Sequence, residues 1–472
     1  MKNMVILFLL TLFVSYAAAY EQGVLPLPDE SGFWIVPMGD GISAKITGYA
    51  GTGQIINIPR YIQEMPITAI GGWAFAGMQL TNVTVPDSVT TIGNSAFRNN
   101  QLTSIIIPDS VTAIGSSAFR NNLLTSIIIS SSITTIGDSV FEDNQLTSFI
   151  IPGSVTAIES LAFLNNQLTS ITIPDSVTTI GLRAFYNNQL TCVIIGSGVT
   201  TIRTAAFANN RLTSVIIGES VTTIGNRAFY NNQLTGVTIP GSVTLIGERA
   251  FRNNQLVSIV IPDSVIIIGQ SAFFRNQLTN AAISDSVTTI GFMAFASNQL
   301  ISAAIGSSVT TIGDSAFADN QLTSVTIPDS VTRIGYGAFR DNQLTSIIIP
   351  DKVTAIGHRA FRNNQLRRVI IGSSVTTIGT YAFYRNRLAR VTIPASVTSI
   401  GTGAFRGNRI FTHVTGANII WQPWVYLFND DFYSFLDTGG WVILFLPHIL
   451  IIVIIAIIAR FIFKRIKNTK KT

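Results

Sequence analysis

Side chains that could carry out catalysis are few and far apart. The 472 residues include three histidines, His358, His413 and His448, and one cysteine, Cys192. Acyl transfer needs a nucleophile beside a base, with a third group holding that base in place. No Ser-His-Asp or Cys-His order provides this, and there is no phosphate loop and no ligand spacing suited to a metal. The chain therefore reads as a non-enzyme that needs no cofactor and no metal. A lone cysteine also rules out an intrachain disulfide.

What the chain does offer is recognition chemistry repeated at a fixed interval. Ile106, Ile128, Ile150, Ile194, Ile216, Ile348 and Ile370 share one phase, with Thr172, Val260 and Ala282 among the residues that complete the row. Turned outward, they would make an apolar stripe of the kind that marks contact surfaces. The competing reading is that β-branched residues simply suit a ladder. A second track holds Arg98, Arg120, Arg252, Arg340, Arg362 and Arg406, alternating with Tyr186, Tyr230 and Tyr384. Arg and Tyr are common binding anchors, although a charged edge also discourages aggregation. Both tracks are candidate protein-binding surfaces.

Two further rows have plainer explanations. Asp87, Asp109, Asp175 and Asp263 belong to an aspartate row interrupted by Ser, Gly or Ala, which suits turns and lacks the spacing of a calcium loop. A threonine row runs from Thr68 and Thr90 to Thr398, broken only by Ile266. Ice binding is a remote reading of it, and β propensity with hydroxyl contacts between neighbouring units is the simpler one.

The elements that position these rows follow from the interval itself. Sixteen phenylalanines, Phe75 to Phe405, recur every 22 residues without insertion or deletion. Sixteen isoleucines (Ile70 to Ile400), fifteen leucines (Leu80 to Leu388) and fifteen asparagines (Asn100 to Asn408) keep the same phase. A period of this size means stacked supersecondary units, none of which buries its apolar side alone. In the unit beginning at Leu102, the alternation of Leu102, Ile105 and Ile107 with Ser104 and Ile106 predicts a short strand. Pro108 ends it, because proline donates nothing to a ladder.

Val111 and Ile114 give a second apolar pair, Gly115 is expected to supply a tight or positive-φ corner, and Ala118 with Phe119 returns to the interior. Phe97, Phe119 and Phe141 would stack in the core. Asn100, Asn122, Asn144, Asn166 and Asn188 are expected to form an internal amide ladder that satisfies backbone groups in the bend.

The unit NxLTSVxIPDSVTxIGxxAFxxN resembles the BspA-type leucine-rich repeat over residues 67–415. The usual unit of that family is about one residue longer and often has Cys where this chain has Asn. The resemblance implies a mainly β, right-handed leucine-rich-repeat solenoid of about 16 coils, with residues 33–66 as a divergent first repeat. It also implies adhesion to host or cell-surface proteins.

The remaining segments read as targeting and anchoring. Residues 1–19 carry Lys2, an apolar run from Met4 to Val14 and Ala17 to Ala19, the layout of a cleavable secretory signal. A capping region over 20–66 precedes the solenoid. An aromatic juxtamembrane segment follows at 416–440, either lying against headgroups or capping the last coil. Residues 441–463 are long enough for one C-terminal transmembrane helix. The basic tail at 464–472 places the C-terminus in the cytoplasm and the repeats outside. The competing reading is a cleavable sorting tail, with no LPxTG-type motif present.

A sequence pI near 9.5 invites a nucleic-acid partner. Residues 20–459, however, carry 23 Lys and Arg against 24 Asp and Glu, and the balance argues against one. The expected function is a membrane-anchored, outward-facing adhesin for extracellular or cell-surface proteins. The competing class is a structural, self-associating envelope spacer.

Overall fold

The computed structural model describes residues 31–410 and 412–415. They belong to a unit spanning Met1–Phe428, and a second unit covers Asn429–Thr472. The expected signal, juxtamembrane segment, transmembrane helix and basic tail lie outside the described residues. Among the described residues no helix is long and apolar enough to cross a membrane.

Most coils make two short parallel strands because their apolar residues come in two groups separated by turns. The outward strand, such as Ser104–Ile106, pairs in register with its neighbour 22 residues on, Ile105 opposite Ile127 and Ile106 opposite Ile128. A two-residue strand around each isoleucine forms the other ladder, which runs unbroken for thirteen strands from Thr135–Ile136 to Ser399–Ile400. Leu102, Ile105, Ile107, Val111 and Phe119 are buried. The phenylalanine rings stack from coil to coil, with Phe97 and Phe119 5.5 Å apart and 7° from parallel.

The N-terminal end is closed by a hairpin. Strand β1 (Phe33–Pro37) runs antiparallel to β2 (Ala44–Tyr49), which pairs parallel with Met65–Ile70. Phe33 and Tyr49 each lie 6.2 Å from Phe75, so the aromatic column continues into the cap. The hairpin covers an edge that would otherwise expose both core and ladder.

The turn chemistry corrects one expectation. Gly115 does not adopt a positive φ. The left-handed residues are Ser117 and Asn121, four apart, and the pair recurs in successive coils. Through this bend the amides of Ser117, Phe119 and Asn121 donate to Asp138, Val140 and Glu142 in the next coil, at 2.8 to 3.1 Å. A left-handed L-residue costs about 1–2 kcal/mol, and these inter-coil bonds hold the conformation. Gly115 is needed for close approach instead: a Cβ there would lie 2.4 Å from the Asn94 Oδ1 and 2.5 Å from the Asn94 amide nitrogen.

Candidate functional site

The outward strand position is open because a strand alternates faces. Ile105 is buried, whereas its neighbour Ile106 is 69% exposed. Ile128 is 67% exposed and Ile150 88%, so three successive coils present isoleucine. Ile194 pairs with Ile216, and Ile348 with Ile370, all four exposed. The seven isoleucines are thus gathered into three apolar patches, separated by coils bearing Thr, Val or Ala. Exposed Cys192 sits between Ser170 and Ser214 on the same face.

The face is not one continuous ladder. Its strands form groups of two or three, and the coils containing Phe149, Thr238 and Thr326 have no outward strand. Phe149 occupies an inward position that holds isoleucine in the two preceding coils. Its ring sits 5.4 Å from Phe141 and 4.7 Å from Phe163, tilting those two to 31° from parallel. Ile150, the most exposed isoleucine, lies beside this wedge.

The Arg/Tyr track divides by how its charges are used. Arg120 pairs with Glu142 at 2.8 Å and with Asp143 at 3.5 Å. Arg340 pairs with Asp341 at 2.6 Å and with Asp319 at 3.0 Å. Arg98, Arg252 and Arg362 lie over the rings of Trp73, Phe274 and Tyr384, the geometry of cation–π contact. Burial lowers the Arg252 pKa, Tyr230 opposes this, and Arg249, Arg275 and Arg227 add to it. Burial raises the Glu142 carboxyl despite its Ser139 and Arg120 partners. Arg406 continues the track in its last coil.

Where Ala205 and Ala208 replace the larger residues of this track, they form the floor of a cleft of about 300 Å³. Arg183, Tyr186, Arg227, Tyr230, Arg249 and Arg252 line it. The Tyr186 hydroxyl accepts from Asn209 at 2.7 Å, and Arg249 pairs with Glu248 at 2.8 Å. Sequence reading singled out Tyr186, Tyr230 and Arg252 but missed the alanines that open the gap between them.

The asparagine row is structural in its geometry. The Asn122 Nδ2 donates to the carbonyls of Phe97 at 2.9 Å and Phe119 at 3.1 Å, while its Oδ1 accepts from the Leu102 amide at 3.1 Å. Asn100, Asn144, Asn166 and Asn188 repeat the cross-coil bonds, and all are buried. Each asparagine therefore clips its coil to the preceding one.

The threonine row is also engaged. Its hydroxyls donate to carbonyls one coil back, Thr90 to Thr68 at 3.0 Å and Thr156 to Thr134 at 3.2 Å. In the aspartate row, Asp175, Asp285 and Asp351 accept from the amides of Ser197, Ser307 and Ser373, each at 2.7 Å. Those amide bonds, with the serine hydroxyls, hold the three carboxyls below their usual pKa. Among the described residues no group of His, Cys, Asp and Glu is arranged to hold a metal.

A family model described as the BspA type leucine-rich repeat region matches residues 54–167, 140–256, 222–343 and 332–420. The chain belongs to the BspA-type leucine-rich repeat family. A leucine-rich repeat protein from Bacteroides ovatus shares the fold, with 22% identity over 80% of this chain and 91% of that one, at a TM-score of 0.51. A leucine rich cell surface protein from Faecalibacterium prausnitzii matches at 21% identity over 85% and 98%, with a TM-score of 0.39. No curated protein sequence matches the chain. The family match is to a repeat scaffold, and no catalytic family is among the matches.

Proposed function

We propose that this BspA-type repeat protein is a membrane-anchored, outward-facing adhesin that grips an extended protein partner through its strand face. The observation that supports this most is the triplet Ile106, Ile128 and Ile150, each more than two-thirds exposed on consecutive coils. An exposed apolar ladder is an aggregation liability unless something covers it. Fully burying an isoleucine contributes roughly 1.5–3 kcal/mol, so a patch of three is enough for a contact core. Repetition along the axis lets one elongated partner engage several patches at once, which raises avidity.

The test uses the full chain against a panel of matrix and cell-surface proteins, followed by sizing over a range of concentrations. Saturable binding by a monomer, lost when Ile106, Ile128 and Ile150 become threonine, is the expected result. Threonine occupies this position at Thr172 and Thr326, so the variant keeps a residue the coil already tolerates. Concentration-dependent oligomers with no partner on the panel would replace adhesion with the self-associating spacer.

A further inference from the structure

The near-neutral total conceals a strong asymmetry along the axis. Residues 31–351 carry 13 Lys and Arg against 18 Asp and Glu, whereas residues 352–410 carry ten Lys and Arg and no acid. All of those ten except Lys352 fall in the stretch that runs from the phenylalanine turn, where Arg359 sits, to the first residue of the outward strand, where Arg368 and Arg390 sit. Arg367, Arg368, Arg385, Arg387, Arg390 and Arg409 are exposed there and make no ion pair among the described residues.

Like charges are stacked on equivalent positions. Arg368 and Arg390 occupy the same outward position on consecutive coils, and Arg387 and Arg409 share another. Neither pair is joined by a ladder, Arg368 pairing with Ser346 and Arg390 with Thr412, but like charges one coil apart repel. Earlier coils avoid this, holding Ser104 or Ser126 at the first position and Gln101 or Gln145 at the second. Arg368, Arg390, Arg387 and Arg409 therefore add repulsion with no ion pair among the described residues to offset it, and an external anion would relieve them.

We propose that this stretch binds a linear acidic polysaccharide, with arginine forks on successive coils holding its sulfate or carboxylate groups. Arg presents a planar fork that matches such oxyanions. The charges run in a line along the axis, spaced by a coil repeat that the Phe361, Phe383 and Phe405 rings put at 5.4 and 5.3 Å. A chain of anions fits a line. Tyr384 is already engaged by Arg362 at 5.3 Å and Arg385 at 5.2 Å, which disfavours a ligand that binds by base stacking. Apart from Ile370, no large apolar side chain among residues 352–410 is exposed to enter a bilayer.

This surface adjoins the Ile348 and Ile370 patch, since Arg368 and Ile370 share one strand face, but it lies many coils from the Ile106, Ile128 and Ile150 triplet on which the adhesin test rests, so either proposal can fail alone. The probe is a fluorescent heparin dodecasaccharide titrated into the full chain at several salt concentrations, with a neutral dextran of similar length beside it. Saturable, salt-weakened binding to the sulfated probe alone is expected.

The variant Arg367→Thr, Arg368→Ser, Arg387→Gln, Arg390→Ser and Arg409→Gln restores residue types found in other coils. It should weaken binding by about tenfold or more and flatten the salt dependence, with a melting temperature equal to or above the parent's. Undiminished binding by a folded variant would overturn the proposal. So would equal affinity for single-stranded DNA of matched charge, or binding to phosphatidylglycerol vesicles in preference to heparin.

Discussion

Replacing Asn232 isolates what the amide ladder contributes. Its Nδ2 donates to the Phe207 carbonyl at 2.9 Å and the Phe229 carbonyl at 3.2 Å, and its Oδ1 accepts from the Leu212 amide at 3.0 Å. The two carbonyls have second donors, Asn210 at 3.2 Å for Phe207 and Asn254 at 2.9 Å for Phe229. Leu212 has no such reserve in the ladder.

In Asn232→Ala the main loss is thus one orphaned buried amide, about 1–3 kcal/mol, plus two weakened carbonyl sites at about 0.5–1 kcal/mol each. A local loss of about 3 kcal/mol corresponds to roughly hundredfold faster exchange at the Leu212 amide. Hydrogen exchange by mass spectrometry on the full chain reads this directly, without assuming two-state unfolding of a repeat array. Asn232→Asp sharpens the test. Its carboxylate still accepts from Leu212 but meets two carbonyls with no proton to offer, so burial raises its pKa in the folded state. The stability of this variant should be fully present below the ordinary aspartate pKa and lost as pH rises through the raised one. Exchange at Leu212 within threefold of the parent in Asn232→Ala, or a pH-independent Asn232→Asp, would refute the reasoning.

Other perturbations follow from the same geometry. Gly115→Ala should destabilise by roughly 2 kcal/mol, because its Cβ would press on the Asn94 backbone. Gly153→Ala, with nothing within 4 Å of the new Cβ, should be neutral or slightly stabilising in thermal unfolding. Glu142→Ala places at this position the residue found at Ala208 and Ala318, and it removes a carboxylate whose pKa burial raises. It should match or exceed the parent's stability at neutral pH, and that advantage should shrink as acid protonates Glu142. Ser197→Pro removes the amide that holds the Asp175 pKa down, so the Asp175 carboxyl should titrate closer to an ordinary aspartate by NMR. The stability this contact gives the parent is present above the ordinary aspartate pKa and lost as pH falls through the lowered one.

The repeat, the buried positions and the outward isoleucines were legible because strand alternation and a strict period both map residue type to direction. Ile105 in and Ile106 out needs no coordinates. The bend was not legible in the same way. Gly115 is expected to supply a tight or positive-φ corner, and the sequence does not say which: inter-coil hydrogen bonds place Ser117 and Asn121 in the left-handed region and reserve the glycine for close backbone contact. The fate of the ridge was hidden for a related reason. Whether Arg120 is free or paired depends on Glu142, one coil away, and only the stacking brings them to 2.8 Å. The Phe149 wedge was hidden in the same way, because only the stacking makes its ring share a layer with Phe141 and Phe163.

The unbroken register has an evolutionary consequence. The coils stack through the same positions, so removing or adding a whole coil would rejoin the isoleucine ladder, the ring column and the amide clips without a seam. Unequal recombination between near-identical units could therefore lengthen or shorten the scaffold by about 5 Å per step, while every surface track stays in line. A gain or loss of part of a unit would put inward residues outside. Selection can thus tune the reach of the molecule separately from its stability, and can rewrite one coil's surface while its neighbours hold the fold.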